Sequence, residues 1–561
     1  MLADSRTLKY NMNPQSASMQ SAPQTNRQVS LRNPGVVGSV HAAQAGYTVA
    51  SPALWLGIIT LLGLGLRVWA LGAKGLWLDE AFSIWMGRHP LPELLDWIVR
   101  IDQHPPLYYT LLHGWLALGD GEAWVRALSA LASAFTIPVF FALVRTLSAD
   151  LPALIAALIL AVSPFHIRFA QEARMYALLT LAAAIAFLCV ALLLTPTTAA
   201  SRARQRAGWL GYVLATVATL LTHNTAVFLP IAVNLFMLPF ILLHRRQPHR
   251  PDPVCTEDCG HSRPAFTPLH APSLAMWLAA QAAIVLLWLP WSAAFVQQSI
   301  GVYRQFWIQP PTLQTVLTTL TTFASAFLPG NVLWQAAVWF FFGMLLLLGL
   351  VSLRRSPALL ALLLVLWLTP FIGEWLVSLR RPIFYDRTLI WSSLPLYTVA
   401  ALGIAALRRP WLLAIVLGAL LGIQSFSLHS YYQYFEKEDW RGAAAYLAQR
   451  YAPGDLLLFN ATWVQIPFDY YFRNFHPEAE RHGAPVDLFD GGVLEPKMTA
   501  ADLPRLAMLI RNRQRVWLIY SHDWYTDAEK LIPAALDEQL TLLDQQAFQG
   551  LELRLYGQAP D

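Results

Sequence analysis

Cysteine and charge are the two scarce things in this chain. Three cysteines among 561 residues, Cys189, Cys255 and Cys259, are too few for a disulfide framework and exclude the small secreted scaffolds that depend on one. Charged residues make up 13% of the sequence, about half the share in a soluble domain. Apolar residues reach 56% and the mean hydropathy is +0.44, which excludes a soluble globular protein. The formal charge of +5 is modest and gives no argument for a nucleic-acid partner. No Gly-rich phosphate loop and no nucleophile elbow is found. A cleavable signal peptide is not expected either, because the first apolar segment begins too far into the chain and is too long.

What is abundant is apolar sequence of membrane-spanning length, recurring from residue 54 to 428. Basic residues gather on the cytoplasmic side of spans, and this rule sets the expected topology. The polar tail 1–50, rich in Ser, Gln and Asn, reads as disordered and cytoplasmic. Spans are expected at 54–71, 123–146, 151–164, 173–194, 208–222, 226–243, 273–295, 333–350, 358–377, 388–407 and 411–426. This leaves Arg202, Arg204 and Arg206, then His244, Arg245, Arg246 and Arg250, then Arg354 and Arg355, then Arg408 and Arg409 inside. Counting "HPPLYYTLLHGWLALG" (104–119) as a span would put every later basic cluster outside, so it is read as an interfacial helix. The Thr-rich segment 312–328 is read the same way. The fold class is therefore a polytopic α-helical membrane protein with about eleven transmembrane helices. Residues 51–428 form the membrane domain, with 72–122 its first outside loop and 244–272 a cytoplasmic loop.

From Tyr431 the composition turns soluble. "DWRGAAAYLAQRYAPGDLLLFN" gives a helix, a turn at Pro453 and Gly454, and a buried strand at 456–459. "ADLPRLAMLIRNRQRVWLIYSH" repeats the scheme with a strand at 516–520, and a last helix and the strand "LELRLYG" follow. Residues 429–561 are expected to form a small extracytoplasmic α/β domain that binds an acceptor or covers the mouth of the bundle.

Two adjacent acids, Asp79 and Glu80 in "GLWLDEAFSIW" (75–85), sit in an apolar part of the first outside loop. The same face holds "QHPPLYY" (103–109), "SPFHIRFAQEARMYAL" (163–178) and "RRPIFYDRTLI" (380–390). Five arginines there, Arg168, Arg174, Arg380, Arg381 and Arg387, oppose the orientation rule at span ends. Such placement invites a functional reading over headgroup snorkelling. In "FAQEARMY", Arg168, Glu172 and Tyr176 fall at i, i+4 and i+8 and share a face if the segment is one helix. Arg174 then lies about 120° away from Arg168.

Acids and arginines at a membrane surface suit transfer of a sugar from a lipid-linked phosphate. Arginines hold the phosphate and the charge that develops as it leaves, and a carboxylate removes the proton of an incoming hydroxyl. Phosphate leaves well, so a second catalytic acid is not demanded as in a glycosidase. No cofactor is required, and a divalent metal beside the acids is left open. Burial among apolar side chains is expected to raise the proton affinity of Asp79. The alternative reading of the acid pair is a cap on an interfacial helix.

At these residues the sequence resembles bacterial glycosyltransferase family 39, which includes the protein O-mannosyltransferases and is akin to the lipid A aminoarabinose transferases. The resemblance rests on the acid pair, "HPPL", "EAWVRALSAL", "SPFHIRFAQEARMYAL" and the late "YDRTLIWSSLPL", where Thr388 stands in place of the family's Tyr. It covers about 54–426. It implies the C-type glycosyltransferase fold and an inverting transfer of a hexosyl or pentosyl group from a polyprenyl-phosphate sugar at the outer face of the plasma membrane. Asp79 is then the general base, and Glu80 orients it or the acceptor. His104, Arg168, Glu172, Arg174, Tyr176, Arg380, Arg381 and Arg387 are the expected substrate-binding residues. The acceptor, whether protein, lipid or glycan, is not specified.

Two signals stand apart. "CTEDCGH" (255–261) has two thiols and a histidine to which His249 or His270 would add a fourth zinc ligand, although Pro-rich surroundings favour a loop with reduced thiols. His223 and Asn224 line the cavity or simply end their helix. The rival functions are a flippase for lipid-linked sugars and a non-catalytic envelope-assembly subunit. The first calls for mid-membrane charge and internal repeats, which are not seen, and the second leaves the acids without a use.

Overall fold

In the computed structural model, residues 51–102, 104–195, 202–244, 266–301, 310–328, 330–490 and 496–558 are described. The expected N-terminal tail and the "CTEDCGH" segment lie outside them. Among the described residues, eleven helices run back and forth between two ends of a bundle. They are α1 (Pro52–Val68), α5 (Glu122–Leu147), α6 (Asp150–Val162), α8 (Tyr176–Leu194), α9 (Arg202–Leu220), α10 (Phe228–His244), α11 (Leu274–Gly301), α13 (Val332–Leu353), α14 (Pro357–Ser378), α15 (Ser393–Ala405) and α16 (Pro410–Tyr434). Each coincides with one of the spans expected from sequence. Seven of them are long and apolar enough to cross a membrane; a further pair, α6 with α7 (Pro164–Ala170), passes together with a bend of 57°. The chain is thus a multi-pass membrane protein. Helices α1 and α15 are shorter apolar helices, and α9 opens on three arginines.

The bend has a local cause. Pro164 has no N–H for a helical bond, and Ser163 before it is extended, with ψ 115°. The basic turns fall where the connectivity alternates. Arg204, Arg354 and Arg408 all lie at the opposite helix ends from Tyr176, Ser378 and Ser393.

Three short helices precede α5 at the other end: α2 (Leu78–Arg88), α3 (Leu91–Arg100) and α4 (Leu107–Leu116). With α12 (Leu313–Ala324) they are too short to span, since a crossing takes about 20 residues. One expectation fails here. "FAQEARMY" is not a single helix, because α7 stops at Ala170 and α8 starts at Tyr176. Tertiary bonds hold the break open. Gln171 donates to the carbonyls of Arg67 and Trp69 and accepts from the Tyr431 hydroxyl, and the Ala173 N–H is taken by Glu80.

The C-terminal part carries α17 (Trp440–Ala448), α18 (Gln465–Phe472), α19 (Leu503–Ile510), α20 (Asp523–Thr526) and α21 (Leu531–Gln539) around five strands. The strands are β1 (Leu456–Asn460), β2 (Glu480–Gly483), β3 (Arg515–Tyr520), β4 (Thr541–Phe548) and β5 (Leu551–Gly557), in the order β2-β1-β3-β5-β4. Strands β1, β2 and β3 are parallel, and β5 and β4 close the sheet antiparallel as a hairpin. Strand β1 is buried along its whole length, as expected where helices cover both faces of a parallel sheet. Strand β4 has no counterpart in the sequence reading: "TLLDQQAF" is largely exposed and lacks a buried run.

Helices α13 and α15 touch backbone to backbone. A Cβ on Gly349 would run into the Val399 carbonyl, and one on Gly403 into the Leu345 carbonyl. Small residues permit such approach between membrane helices. Gly403→Val is therefore expected to lower the melting temperature of the purified protein, by an overpacking cost of about 1–3 kcal/mol or more. Gly343→Ala on the same pair, where nothing lies within 4 Å, should leave it unchanged.

Candidate active site

Asp79 and Glu80 fall in the first turn of α2. Consecutive residues on a helix point about 100° apart, and the two carboxylates meet different fates. Asp79 faces a cavity of about 330 Å³. Arg387 Nη1 donates to its Oδ2 at 3.1 Å, and Arg174 Nε lies 3.9 Å from the same oxygen. Arg174 is held in turn through Nη1 by the Asp79 carbonyl, Ser83 and the Tyr109 hydroxyl. Arg387 lies 4.8 Å from the Tyr385 ring centre and 5.6 Å from that of Tyr176. Burial pushes the Asp79 carboxyl up, but Arg174 and Arg387 outweigh it and hold it below its ordinary range. The raised proton affinity expected from the apolar sequence is thus corrected: the neighbours that decide it are far away in the chain.

Glu80 turns the other way. Expected beside Asp79 at the substrate, it is instead fully buried and absent from the cavity lining. Arg126 grips it with Nε and Nη2, each at 2.7 Å, Lys437 donates at 2.9 Å, and the Ala173 N–H at 2.9 Å. Burial would raise its pKa, but Arg126 and Lys437 override that and bring it to about 2. Arg126 also ties down the carbonyls of Leu71, Lys74 and Gly75. Beside it, Glu438 accepts from the Leu78 N–H at the start of α2. The capping reading of the acid pair holds a part of the truth, since Glu80 also accepts from the Trp77 N–H at 3.5 Å.

His104, Arg174, Tyr176, Arg381 and Arg387 line the cavity with Asp79. Arg168, Glu172 and Arg380 do not. Arg168 donates to Glu172 at 3.3 Å and is packed by Phe169 and Phe435 in a separate cleft. Arg380 is exposed, and Arg381 donates to the Ser299 carbonyl at 2.9 Å. His223 and Asn224 line the cavity, which decides their open reading.

Several lining or supporting groups escaped the sequence reading. Asp102 Oδ1 accepts from His104 Nδ1 at 2.9 Å; it precedes the "QHPPL" stretch by one residue. Trp463 comes from the C-terminal domain. Thr388 lines the wall and donates to the buried Glu374 at 2.6 Å. Glu374 did carry a signal, as the lone acid of its span; Trp463 and Lys437 carried none. Among the described residues no group of three His, Cys, Asp or Glu side chains is disposed to hold a metal ion.

ArnT from Cupriavidus metallidurans in the apo state superposes with a TM-score of 0.59 at 14% identity, covering 90% of this chain and 98% of that one. The same protein bound to undecaprenyl phosphate gives 0.57 at 13%, with the same coverage. The chain has the C-type glycosyltransferase fold. The archaeal oligosaccharyltransferase AglB from Archaeoglobus fulgidus, in complex with an inhibitory peptide and a dolichol-phosphate, matches this fold at 0.52 and 12% identity, over 90% of this chain and 74% of its own. The family model for dolichyl-phosphate-mannose-protein mannosyltransferases matches residues 103–250, and no curated protein matches in sequence. The resemblance to glycosyltransferase family 39 stands on these findings. The matched segment of this C-type glycosyltransferase-like chain carries His104, Arg126, Glu172 and Arg174, but neither Asp79 nor Arg387.

Replacing Glu80 by Gln leaves Arg126 and Lys437 buried without the carboxylate that bonds both, a loss on the order of 3–5 kcal/mol. A clear fall in melting temperature is expected in detergent. In the parent, the contribution of Glu80 is full above the unfolded carboxyl's ~4.3 and is lost as pH falls from there toward about 2. Unfolding curves across that window should show the loss in the parent and not in Glu80→Gln.

Proposed function

We propose that the chain is an inverting glycosyltransferase that moves a sugar from a polyprenyl phosphate to an acceptor hydroxyl at the outer face of the plasma membrane. The observation that carries this reading is one carboxylate, Asp79, flanked by Arg174 and Arg387 at a cavity within a membrane bundle of this fold. The comparisons add support: ArnT was seen with undecaprenyl phosphate and AglB with dolichol-phosphate.

The chemistry follows from charge. The donor phosphate enters beside Arg174, Arg387 and Arg381, with His104 and Tyr176 on the same wall. The side chains of Val227, Phe228, Phe295 and Val377 give that cavity an apolar flank fitted to the first part of a polyprenyl chain. A guanidinium grips phosphate with two bonds in a fixed fork. When the phosphate takes Arg387, Asp79 loses one of the two arginines that depress its proton affinity and becomes a better base. Asp79 then accepts the proton of the acceptor hydroxyl. The acceptor oxygen bonds to the anomeric carbon from the face opposite the phosphate, the bond from that carbon to the phosphate oxygen breaks, and the electron pair stays on the phosphate. The arginines stabilise that second negative charge. Glu80 takes no part in the proton transfer and keeps α2 in place.

The test is transfer of labelled sugar from polyprenyl phosphate by purified variants in nanodiscs, with the sugar identified by mass spectrometry of glycans and glycolipids in a deletion strain. Asp79→Asn is expected to lower turnover by ~10²–10⁴-fold while undecaprenyl phosphate still binds. Arg387→Lys should lower turnover clearly without loss of folded protein, because a lysine lacks the fork. Near-normal turnover in Asp79→Asn would remove Asp79 from the role of base and this reading with it.

A further inference from the structure

A second cleft, of about 190 Å³, lies where the membrane bundle meets the C-terminal domain. Trp77, Arg168, Glu172, the segment 435–438 and the β4–β5 turn at Gln549 and Gly550 line it. Its polar groups are only partly used. Glu172 is 1% exposed; its Oε1 accepts from Arg168 Nε, while its Oε2 is buried with no hydrogen-bond partner among the described residues. Trp77 Nε1 is likewise buried without an acceptor. A buried carboxylate oxygen and a buried N–H left unmade are costly, and two of opposite kind share this one cleft.

The pairing restricts the occupant. An anion would satisfy the Trp77 N–H but would meet Glu172, Glu436 and Glu438, while the Lys437 ammonium in the lining is held by Glu80. A cation would satisfy Glu172 but not Trp77. Arg168 is already committed to Glu172 and packed by Phe169 and Phe435, at 5.0 and 5.1 Å. A neutral ring with neighbouring hydroxyls meets all of these conditions, since one hydroxyl donates to Glu172 and another accepts from Trp77. The side chains of Phe435 and Trp77 give the cleft the apolar walls that a sugar's C–H face fits. Location agrees with this. Trp77 faces the second cleft while Leu78 and Asp79, next in the same turn, face the donor cavity.

We propose that this cleft is the acceptor subsite of the transferase and that it takes a saccharide ring, presenting one hydroxyl to Asp79. The assignment as acceptor subsite rests on the reading of the chain as a glycosyltransferase.

The experiment uses the full chain in nanodiscs. A panel of methyl hexopyranosides and pentopyranosides is titrated by calorimetry and by saturation-transfer NMR, with and without undecaprenyl phosphate, next to a serine- and threonine-containing peptide. At least one glycoside is expected to bind saturably. Glu172→Gln, which replaces the carboxylate by an amide of the same shape, should weaken it about tenfold or more, and Trp77→Phe, which keeps a ring and removes the N–H, several-fold. Melting curves establish that each variant is folded; if Glu172→Gln fails this check, Trp77→Phe decides. No saturable glycoside binding to the parent, or binding that neither variant weakens, overturns the proposal. So does binding of the peptide alone. Binding of undecaprenyl phosphate reports on the donor cavity separately: a chain that binds a glycoside but does not bind undecaprenyl phosphate overturns the transferase reading and the acceptor assignment, and leaves a saccharide site.

Discussion

The site hangs on a buried cluster of charge that lies outside the cavity lining. Glu80, Arg126 and Lys437 come from α2, from α5 and from the link between α16 and the C-terminal domain. Each would be costly to bury alone, and together they satisfy one another in a place where water does not compete. The cluster fixes α2 against the bundle. Arg126 also binds three carbonyls of the approach to α2, 71, 74 and 75, so the first turn of that helix has little freedom. Asp79 inherits its aim from this rigidity.

The arginines show how one residue type serves three purposes. Arg174 and Arg387 surround Asp79 and lie in the cavity wall. Arg168 is folded against phenylalanines and Glu172 in the neighbouring cleft. Arg380 is exposed at the end of α14, where a headgroup would meet it. Three of the five, Arg174, Arg381 and Arg387, line the cavity, and the other two, Arg168 and Arg380, are packed in the neighbouring cleft or exposed.

The C-terminal domain belongs to the site and is not a separate attachment. Trp463, just after the carboxyl end of β1, lines the cavity at Asp79. Glu438 bonds the first turn of α2 and lies 3.4 Å from His522, which follows β3. Ligands of open α/β sheets collect at the carboxyl ends of parallel strands, and here those ends face the cleft between the domain and the bundle. The antiparallel β4–β5 hairpin supplies the far wall of the second cleft through Gln549 and Gly550.

The sequence by itself determined the membrane class, the position of each helix in the bundle and the residue stretches that converge. Local periodicity and apolar length are properties of neighbours in the chain, and the alternation of basic turns orders those segments end to end. Strands β1, β3 and β5 were legible for the same reason, as short apolar runs beside turns, whereas the exposed β4 was not. Only the tertiary structure decided what each polar group does. Adjacency misled for Asp79 and Glu80, since a helix turns neighbours about 100° apart and gave one acid to the cavity and the other to Arg126. Local spacing misled again at 168–176, where Gln171 and Ala173 spend their bonds on distant partners and break the helix. The lowered proton affinity of Asp79 comes from Arg174 and Arg387, 95 and 308 residues away. An electrostatic environment is set by distance in space, which no pattern along the chain records.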